Sequence, residues 1–406
     1  MKFNKWTVGL AAIGLVSLTT ASRADEKMNQ LQTALSDTTI SGYVSASANW
    51  ALDPGANGYQ NSLAGGIPFQ GPDKQDGFNL DVVKLSISKP QDESPWASGY
   101  QVDLMFGPDA IGYNVAGSTS SSLGYYDGYS DFAIKQAYIA LRTPIGNGID
   151  WKVGVFDTVI GYEVTDSGND PNYTRSWGYY LEPTEHTGIL GTYKLNDQWT
   201  FSAGIANTLY AGINQRPYDY TGNANDDWHK TGMGALTYTT PSSWGWAAGS
   251  SLYAGVVYGL AGDTGSYNDY QLNWYGGATL NTPWSKLTTG LAFDYAEHFD
   301  AEPVNVWALG LYATYKATDK LSLNGRAEYV AADKDNDSYI TGTTPDFMEI
   351  TATVEYDLWA NVISRLELRY DQVLDNVAGI NSAIGSGSGT FSRDSVGLYA
   401  NIIYKF

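Results

Sequence analysis

The sequence has 406 residues, a formal net charge of −20 and no cysteine. The missing cysteines exclude a disulfide-stabilised fold, and 43 acidic against 23 basic residues argue against nucleic-acid binding. Aromatic residues make up 14% of the chain and charged residues only 16%. Because aromatic residues favour strands, and a chain of this composition is neither disordered nor helical, we expect an ordered β protein.

The first 24 residues predict a secretory signal peptide. Lys2 and Lys5 form a basic start, an apolar run follows, and the small residues Ser22 and Ala24 stand before Asp25, as at a cleavage site. A membrane anchor is the alternative interpretation. It is less favoured because the apolar run is short and no stop-transfer charges follow it.

From residue 39 onwards, segments of alternating apolar and polar residues recur to the end of the chain. In FMEITATVEYDL, residues 347–358, every second residue from Met348 to Leu358 is apolar, which predicts a strand with two different faces. Near Val82–Val83 and Gln136–Ala137 the apolar face changes parity, which predicts β-bulges. The pattern predicts sixteen strands: 39–50, 77–89, 99–107, 131–142, 149–157, 187–195, 198–207, 230–239, 245–259, 269–280, 286–296, 304–316, 320–331, 346–358, 361–371 and 394–406.

The connections between these strands alternate between short turns and mostly long polar loops. A soluble sandwich has no reason to alternate in this way, whereas a transmembrane barrel has tight periplasmic turns and long extracellular loops. Seven tryptophans lie beside the short connections, as in an interfacial aromatic girdle: Trp96, Trp151, Trp199, Trp244, Trp246, Trp284 and Trp359. We therefore predict an all-β fold, a transmembrane antiparallel barrel over 39–406, after the signal peptide 1–24 and a short periplasmic segment 25–38.

The polar face of the predicted strands carries charged side chains, so it must face inwards. Charges without partners in a dry barrel would cost several kcal/mol each, about 2–7 kcal/mol even for a neutral polar group, which favours a water-filled lumen. Sixteen strands form a barrel wide enough for an aqueous channel. The predicted lumen wall includes Arg326, Glu328, Arg365, Glu367 and Arg369.

Several motifs resemble one known family. They are Gln136-Ala137-Tyr138, VGVFDTVIGYE at 153–163, NYTRSW at 172–177 and EPTEHTG at 182–188. In these motifs the chain resembles the beta-barrel porin-2, OmpL-like, family of outer-membrane porins. The resemblance covers most of the chain after the signal peptide and is most specific over 131–207. It implies a pore in the cell outer membrane and says little about the solute.

The third long connection, about 158–186, concentrates acidic and aromatic residues. By resemblance to general porins, whose third loop narrows the lumen, it is expected to form the constriction, with candidate residues Glu163, Asp166, Asp170, Arg175, Glu182 and Glu185. Arg326, Arg365 and Arg369 are expected to supply the basic side, since opposed charges across a pore filter solutes. The alternative is an external loop, with these arginines paired to Glu328 and Glu367 along the wall.

The sequence closes on SVGLYANIIYKF, residues 395–406, where the even-numbered residues from Val396 to Phe406 are apolar. This pattern predicts a closing strand that pairs with the strand near residue 39 and faces lipid with its apolar side. A terminal aromatic strand resembles the signal read by the barrel assembly machinery. Phe406 and Tyr404 are the candidate signal residues.

The sequence therefore predicts a porin for passive diffusion of small hydrophilic solutes, with net negative charge hinting at cation preference. A substrate-selective channel, for example for sugars, is the alternative, and a structural or adhesive barrel with an occluded lumen is an alternative of another class. Outer-membrane lipid, lipopolysaccharide and the assembly machinery are expected partners, and a homotrimer is expected only from resemblance to sixteen-stranded porins. We expect no catalytic residues, metal or cofactor.

Overall fold

A computed structural model describes most of the chain from residue 38 onwards. The described residues are 31–32, 38–52, 74, 76–110, 132–207, 209, 213, 229–263, 268–298, 304–332, 346–374 and 394–406. The predicted signal peptide lies outside them, as do most of the long connections. Among the described residues, no helix combines the length and apolar character needed to cross a bilayer.

Sixteen long strands make up nearly all of the described structure. They are β1 (Thr39–Ala51), β2 (Gly77–Lys89), β3 (Ser98–Phe106), β4 (Phe132–Thr143), β5 (Ile149–Asp157), β6 (Glu185–Lys194), β7 (Trp199–Ala206), β8 (Thr231–Thr239), β9 (Ser251–Asp263), β10 (Asn268–Asn281), β11 (Leu287–His298), β12 (Val304–Lys316), β13 (Leu321–Ala332), β14 (Phe347–Trp359), β15 (Val362–Val373) and β16 (Asp394–Lys405). A two-residue strand, Leu31–Gln32, pairs with the start of β1. Short helical segments complete the set: 3-10 turns at Pro108–Ala110 and Ser242–Ala247, and helix α1 (Trp177–Leu181).

The sixteen strands form a closed antiparallel barrel. Each strand pairs with the next along the chain, and β16 pairs with β1 in the register Ala400↔Ala48. Beyond β16, Phe406 and Gly42 exchange both backbone hydrogen bonds at 3.0 Å. A Cβ at residue 42 would lie 2.8 Å from the Phe406 ring, so glycine there lets the ring lie against the seam. The predicted closing strand is confirmed.

Strand positions follow the predicted ones within two residues, except for β9. It begins at Ser251 and not at residue 245, because Ser242–Ala247 forms a 3-10 turn in which Gly245 has a φ of 63°. Register shifts between Ser45 and Ala46 and between Asp103 and Leu104 confirm the two bulges predicted from the parity changes.

The distribution of side chains is the reverse of that in a soluble barrel. Ile350, Leu366 and Ile402 are 50%, 52% and 53% exposed, while their neighbours Glu349 and Glu367 are fully buried. At the end of the barrel that carries the short turns, here named the turn end, five tryptophans are at least half exposed: Trp96, Trp244, Trp246, Trp284 and Trp359. An apolar outer belt with an aromatic rim is what a bilayer requires.

Candidate functional site in the barrel lumen

The connection between β5 and β6, residues 158–184, lies inside the barrel and is named here the inserted loop. Two of its large side chains are buried against the wall, with Tyr173 4% and Trp177 3% exposed. Its one helix, α1, begins after Ser176, whose hydroxyl accepts a hydrogen bond from the Tyr179 N–H at 3.1 Å. A sixteen-stranded barrel is too wide for wall side chains to fill, and the inserted loop occupies this space.

Two carboxylates of the wall hold the backbone of the inserted loop. Glu328 on β13 accepts the N–H groups of Trp177 and Gly178 at 2.6 and 2.7 Å, at the N-terminus of α1. Glu367 on β15 accepts the Thr174 N–H at 3.0 Å, the Thr174 hydroxyl at 2.6 Å and the Tyr173 N–H. Backbone N–H groups that have no partner within the loop are thereby satisfied by carboxyl oxygens of the wall.

Three arginines of the wall add a second set of contacts. Arg326 forms ion pairs with Glu349 at 2.9 Å and with Glu163 of the inserted loop at 2.8 Å, and it donates to the Thr174 carbonyl at 2.9 Å. It is only 2% exposed. One guanidinium therefore joins β13, β14 and the inserted loop in a single ionic cluster.

Arg365 and Arg369 reach the inserted loop through its carbonyl groups. Arg365 pairs with Glu355 at 2.9 Å and donates to the Ser167 carbonyl at 2.6 Å. Arg369 makes two hydrogen bonds of 2.8 Å to Asp371 and also donates to the Arg175 carbonyl. We name the inner faces of β13, β14 and β15 the charged half of the lumen.

The arginines and acids pair differently from both sequence-based alternatives. Glu328 and Glu367 bind the inserted loop and are not the ion-pair partners of the arginines, whose wall partners are Glu349, Glu355 and Asp371. Of the acidic candidates of the inserted loop, Glu163 alone is an ion-pair partner of these three arginines among the described contacts.

The remaining acidic candidates have separate partners. Asp166 pairs with Lys84 of β2 at 2.6 Å, and Asp170 pairs with Arg175 within the inserted loop at 3.0 Å. Glu185 is the first residue of β6, outside the inserted loop, and pairs with Lys135 of β4 at 3.0 Å. Arg175 also donates to the Val164 and Thr165 carbonyls at 2.9 Å, so it braces the inserted loop internally.

Burial changes the acidity of two carboxyl groups in the inserted loop. Desolvation raises the pKa of Glu182 well above its ordinary value, and the nearby Asp294 carboxylate raises it further. Desolvation also raises the pKa of Asp170 to about 7, although Arg175 opposes the shift. Both side chains thus bind a proton more firmly while the inserted loop stays buried.

The opposite side of the lumen holds an apolar cluster beside polar side chains such as Asn273 and Asp294, and sequence reasoning missed this cluster. Ile160, at the start of the inserted loop, packs into a cluster with inward side chains of the wall that include Phe156, Leu190, Met233 and Val257. Tyr162 of the loop stacks on Tyr312 of β12 with 4.2 Å between ring centroids. We name the inner faces of β6 to β12 the apolar half. Much of it comes from segments such as 231–239, where glycine, alanine and threonine make both faces similar.

Sequence reasoning also missed a polar cluster beneath Tyr173. The Tyr173 hydroxyl donates to Ser47 of β1 and Asp81 of β2, each at 2.9 Å. Asp81 accepts further bonds from Ser45 at 2.9 Å and Asn401 at 3.2 Å. Asp81 lies beside the parity change near Val82–Val83. This change was the sequence signal for the cluster, because β-bulges often redirect side chains.

Comparison with protein families identifies the chain. The sequence model of the family described as "Putative beta-barrel porin-2, OmpL-like" matches residues 37–406. The chain belongs to this family. As a member of the OmpL-like porin family it is an outer-membrane barrel of the porin type. No curated protein matches the chain.

Solved porins share its fold at low identity. An anion-selective porin from Comamonas acidovorans aligns with a TM-score of 0.58 and 11% identity, over 91% of this chain and 99% of that one. Salmonella typhi OmpF in complex with daunomycin aligns with a TM-score of 0.59 and 12% identity, over 93% of this chain and 100% of that one. The trimer form of OmpT from Vibrio cholerae aligns with a TM-score of 0.56 and 14% identity, over 91% of this chain and 99% of that one. These likenesses support the barrel architecture.

Proposed function

We propose that this OmpL-like porin lets small hydrophilic solutes diffuse passively across the outer membrane, and that the inserted loop forms its constriction. The observation that carries the proposal is the anchoring of the inserted loop to the charged half by Arg326, Glu328 and Glu367. A segment fixed in this way narrows a wide barrel. The turn end faces the periplasm, as in bacterial outer-membrane barrels.

The pairing pattern supports a constriction that selects mainly by size. The arginines of the charged half already form ion pairs with wall acids or with the inserted loop. They therefore do not face acidic loop residues across open water. Selection by a strong transverse field is therefore weaker than the sequence pattern alone implies. The excess of 43 acidic over 23 basic residues favours a modest cation preference.

A substrate-selective channel is a second candidate, supported by one recess of the lumen. It lies between the inserted loop and the wall and is lined by the stacked Tyr162 and Tyr312, by Asp170 and by Thr279, Thr288 and Thr314. Aromatic faces beside hydroxyl groups suit sugars or other polyols. An occluded structural barrel is the third candidate, because the inserted loop contacts so much of the wall.

Planar-bilayer recording of the purified protein separates these functions. Steady ohmic conductance supports the general porin, and concentration-dependent block by one sugar supports the selective channel. Protein that inserts without conducting would contradict both and favour the occluded barrel. Migration on an unheated gel tests the homotrimer, which the trimeric form of a structural neighbour supports.

The assembly role of the last strand leads to a separate prediction. Phe406 forms two hydrogen bonds with Gly42 across the seam, and Tyr404 is 46% exposed on the lipid side. Deletion of Phe406 should lower the yield of heat-modifiable barrels in the outer membrane by several-fold, while the barrels that form conduct normally. Tyr315→Ala, which removes an outward tyrosine of β12 that is 42% exposed, is the matched control. An equal loss of barrel yield in both variants would contradict a specific terminal signal.

A further inference from the structure

One basic side chain of the lumen differs from the others in its partners. The basic groups that surround the inserted loop form ion pairs with carboxylates: Lys84, Lys135, Arg175, Arg326, Arg365 and Arg369. Lys152 on β5 lies on the same inner surface, and its described contact is the ring of Tyr138, 4.8 Å from its Nζ. No carboxylate oxygen of the described residues lies within ion-pair distance of it.

The position of Lys152 is fixed by the register of the strands. It pairs with Leu190 of β6, whose side chain is buried in the interior cluster, while its neighbour Val153 is 38% exposed on the lipid side. Because side chains alternate along a strand, Lys152 points into the lumen. It is partly buried there, and its ammonium group lies over the Tyr138 ring.

The two carboxylates that act electrostatically on Lys152 are those of Asp157 and Asp103, and both already have other partners. Asp157 pairs with Lys135, and Asp103 lies 3.3 Å from the Lys84 Nζ and accepts from Gln136 at 3.0 Å. Neither carboxylate is released to neutralise Lys152. Among the described residues, the Lys152 ammonium group therefore has no carboxylate partner, whereas the cations Lys84 and Lys135 are paired.

We propose that Lys152 is the solute-facing cation of this lumen and forms, with Tyr138, a subsite for small anionic solutes on the wall opposite the charged half. The proposal rests on the channel function proposed above and adds the residue that biases its charge selectivity. The tyrosine ring holds the ammonium group in place by a cation–π contact and leaves its N–H groups free to donate. An anion entering the lumen meets an unpaired positive charge there, which raises its local concentration.

The test measures the ratio of potassium to chloride permeability from the reversal potential in a KCl gradient, with the full-length protein in planar bilayers. Lys152→Gln should raise this ratio by up to about fivefold, the effect of one unit charge at about 4 Å in water. Lys152→Glu should raise it further, and Lys152→Arg should leave it unchanged. Lys194→Gln, which removes an exposed lysine paired with Asp197 beside a turn, is the matched control and should also leave it unchanged.

The outcomes distinguish this inference from the proposed function. A wild-type protein that does not conduct overturns both. Normal conductance with an unchanged ratio in Lys152→Gln, or the same change in Lys194→Gln, overturns the role of Lys152 alone. Should the glutamine variant assemble poorly, Lys152→Met removes the same charge and keeps the aliphatic stem beside the apolar wall. It must give the same rise in the ratio.

Discussion

The charged half and the apolar half of the lumen hold the same inserted loop by different physics. In the charged half, the loop is held by directional contacts such as Arg326 with Glu163 at 2.8 Å and Glu328 with the Trp177 N–H at 2.6 Å. In the apolar half, Ile160 packs into a cluster with Phe156 and Val257 and has no polar partner to satisfy.

This difference shows which half sets the position of the inserted loop. Buried charges are stable only when every partner is present, so the charged half admits one arrangement of the loop. Apolar contacts are non-directional and tolerate small changes of shape, so the apolar half fills space and excludes water. We therefore expect substitutions in the two halves to differ strongly in cost.

The largest expected effect comes from Arg326→Ala. It leaves Glu163 and Glu349 buried without their cation, and loss of one partner from a buried pair costs about 3–5 kcal/mol. We expect a lower unfolding midpoint in detergent and a higher single-channel conductance, because the inserted loop is released from the wall. Both are measured on refolded barrels.

The matched control for this change is Arg142→Ala. Arg142 pairs with Asp150 at 2.6 Å near the turn end, and the Asp150 side chain is 35% exposed. Because this pair keeps contact with water, its loss should cost less than the loss of the fully buried Arg326 contacts. If the two alanine variants unfold alike and conduct alike, the charged half does not fix the inserted loop.

An intermediate effect is expected from pH. Burial and the Asp294 carboxylate raise the pKa of Glu182, so the docked inserted loop holds a proton that a solvated loop would release. Docking is then strongest below the ordinary range of a glutamic acid and weakens as pH rises towards the raised value. The raised pKa of Asp170, about 7, acts in the same direction.

The pH effect is measured by hydrogen exchange of peptides from 158–184, corrected for intrinsic exchange rates. Protection should be greater at about pH 5 than at about pH 9. Glu182→Gln should reduce the difference, since glutamine cannot lose a proton. Equal protection at both pH values in the wild-type protein would show that these carboxyl groups do not control docking.

The smallest effect is expected from Ile160→Val, in the part of the inserted loop that packs against the apolar half. It removes one buried methylene group and costs about 0.5–1.5 kcal/mol. The unfolding midpoint should fall slightly and the conductance should stay at the wild-type value. A conductance change as large as that of Arg326→Ala would mean that the apolar half also sets the position of the inserted loop.

Much of the fold was predictable because every strand of a membrane barrel alternates between lipid-facing and lumen-facing residues. The alternation in β14, with Ile350 outward and Glu349 inward, follows directly from lipid outside and polar surroundings inside. The start of β9 was not predictable in this way, because the apolar residues around Trp244 continue the pattern into a 3-10 turn. The candidate acids and arginines were identified as inward or loop residues, but their pairing was not.

By itself the sequence determined the strand number, the two faces of the wall and the closing seam, because period-two patterns and turn lengths are local properties of the chain. The tertiary structure alone decided which charges meet. Glu163 and Arg326 are 163 residues apart, and their contact depends on how the inserted loop crosses the lumen. No local pattern encodes that distance. The same holds for Lys152, which has no ionic partner among the described residues while Asp103 and Asp157 pair with Lys84 and Lys135.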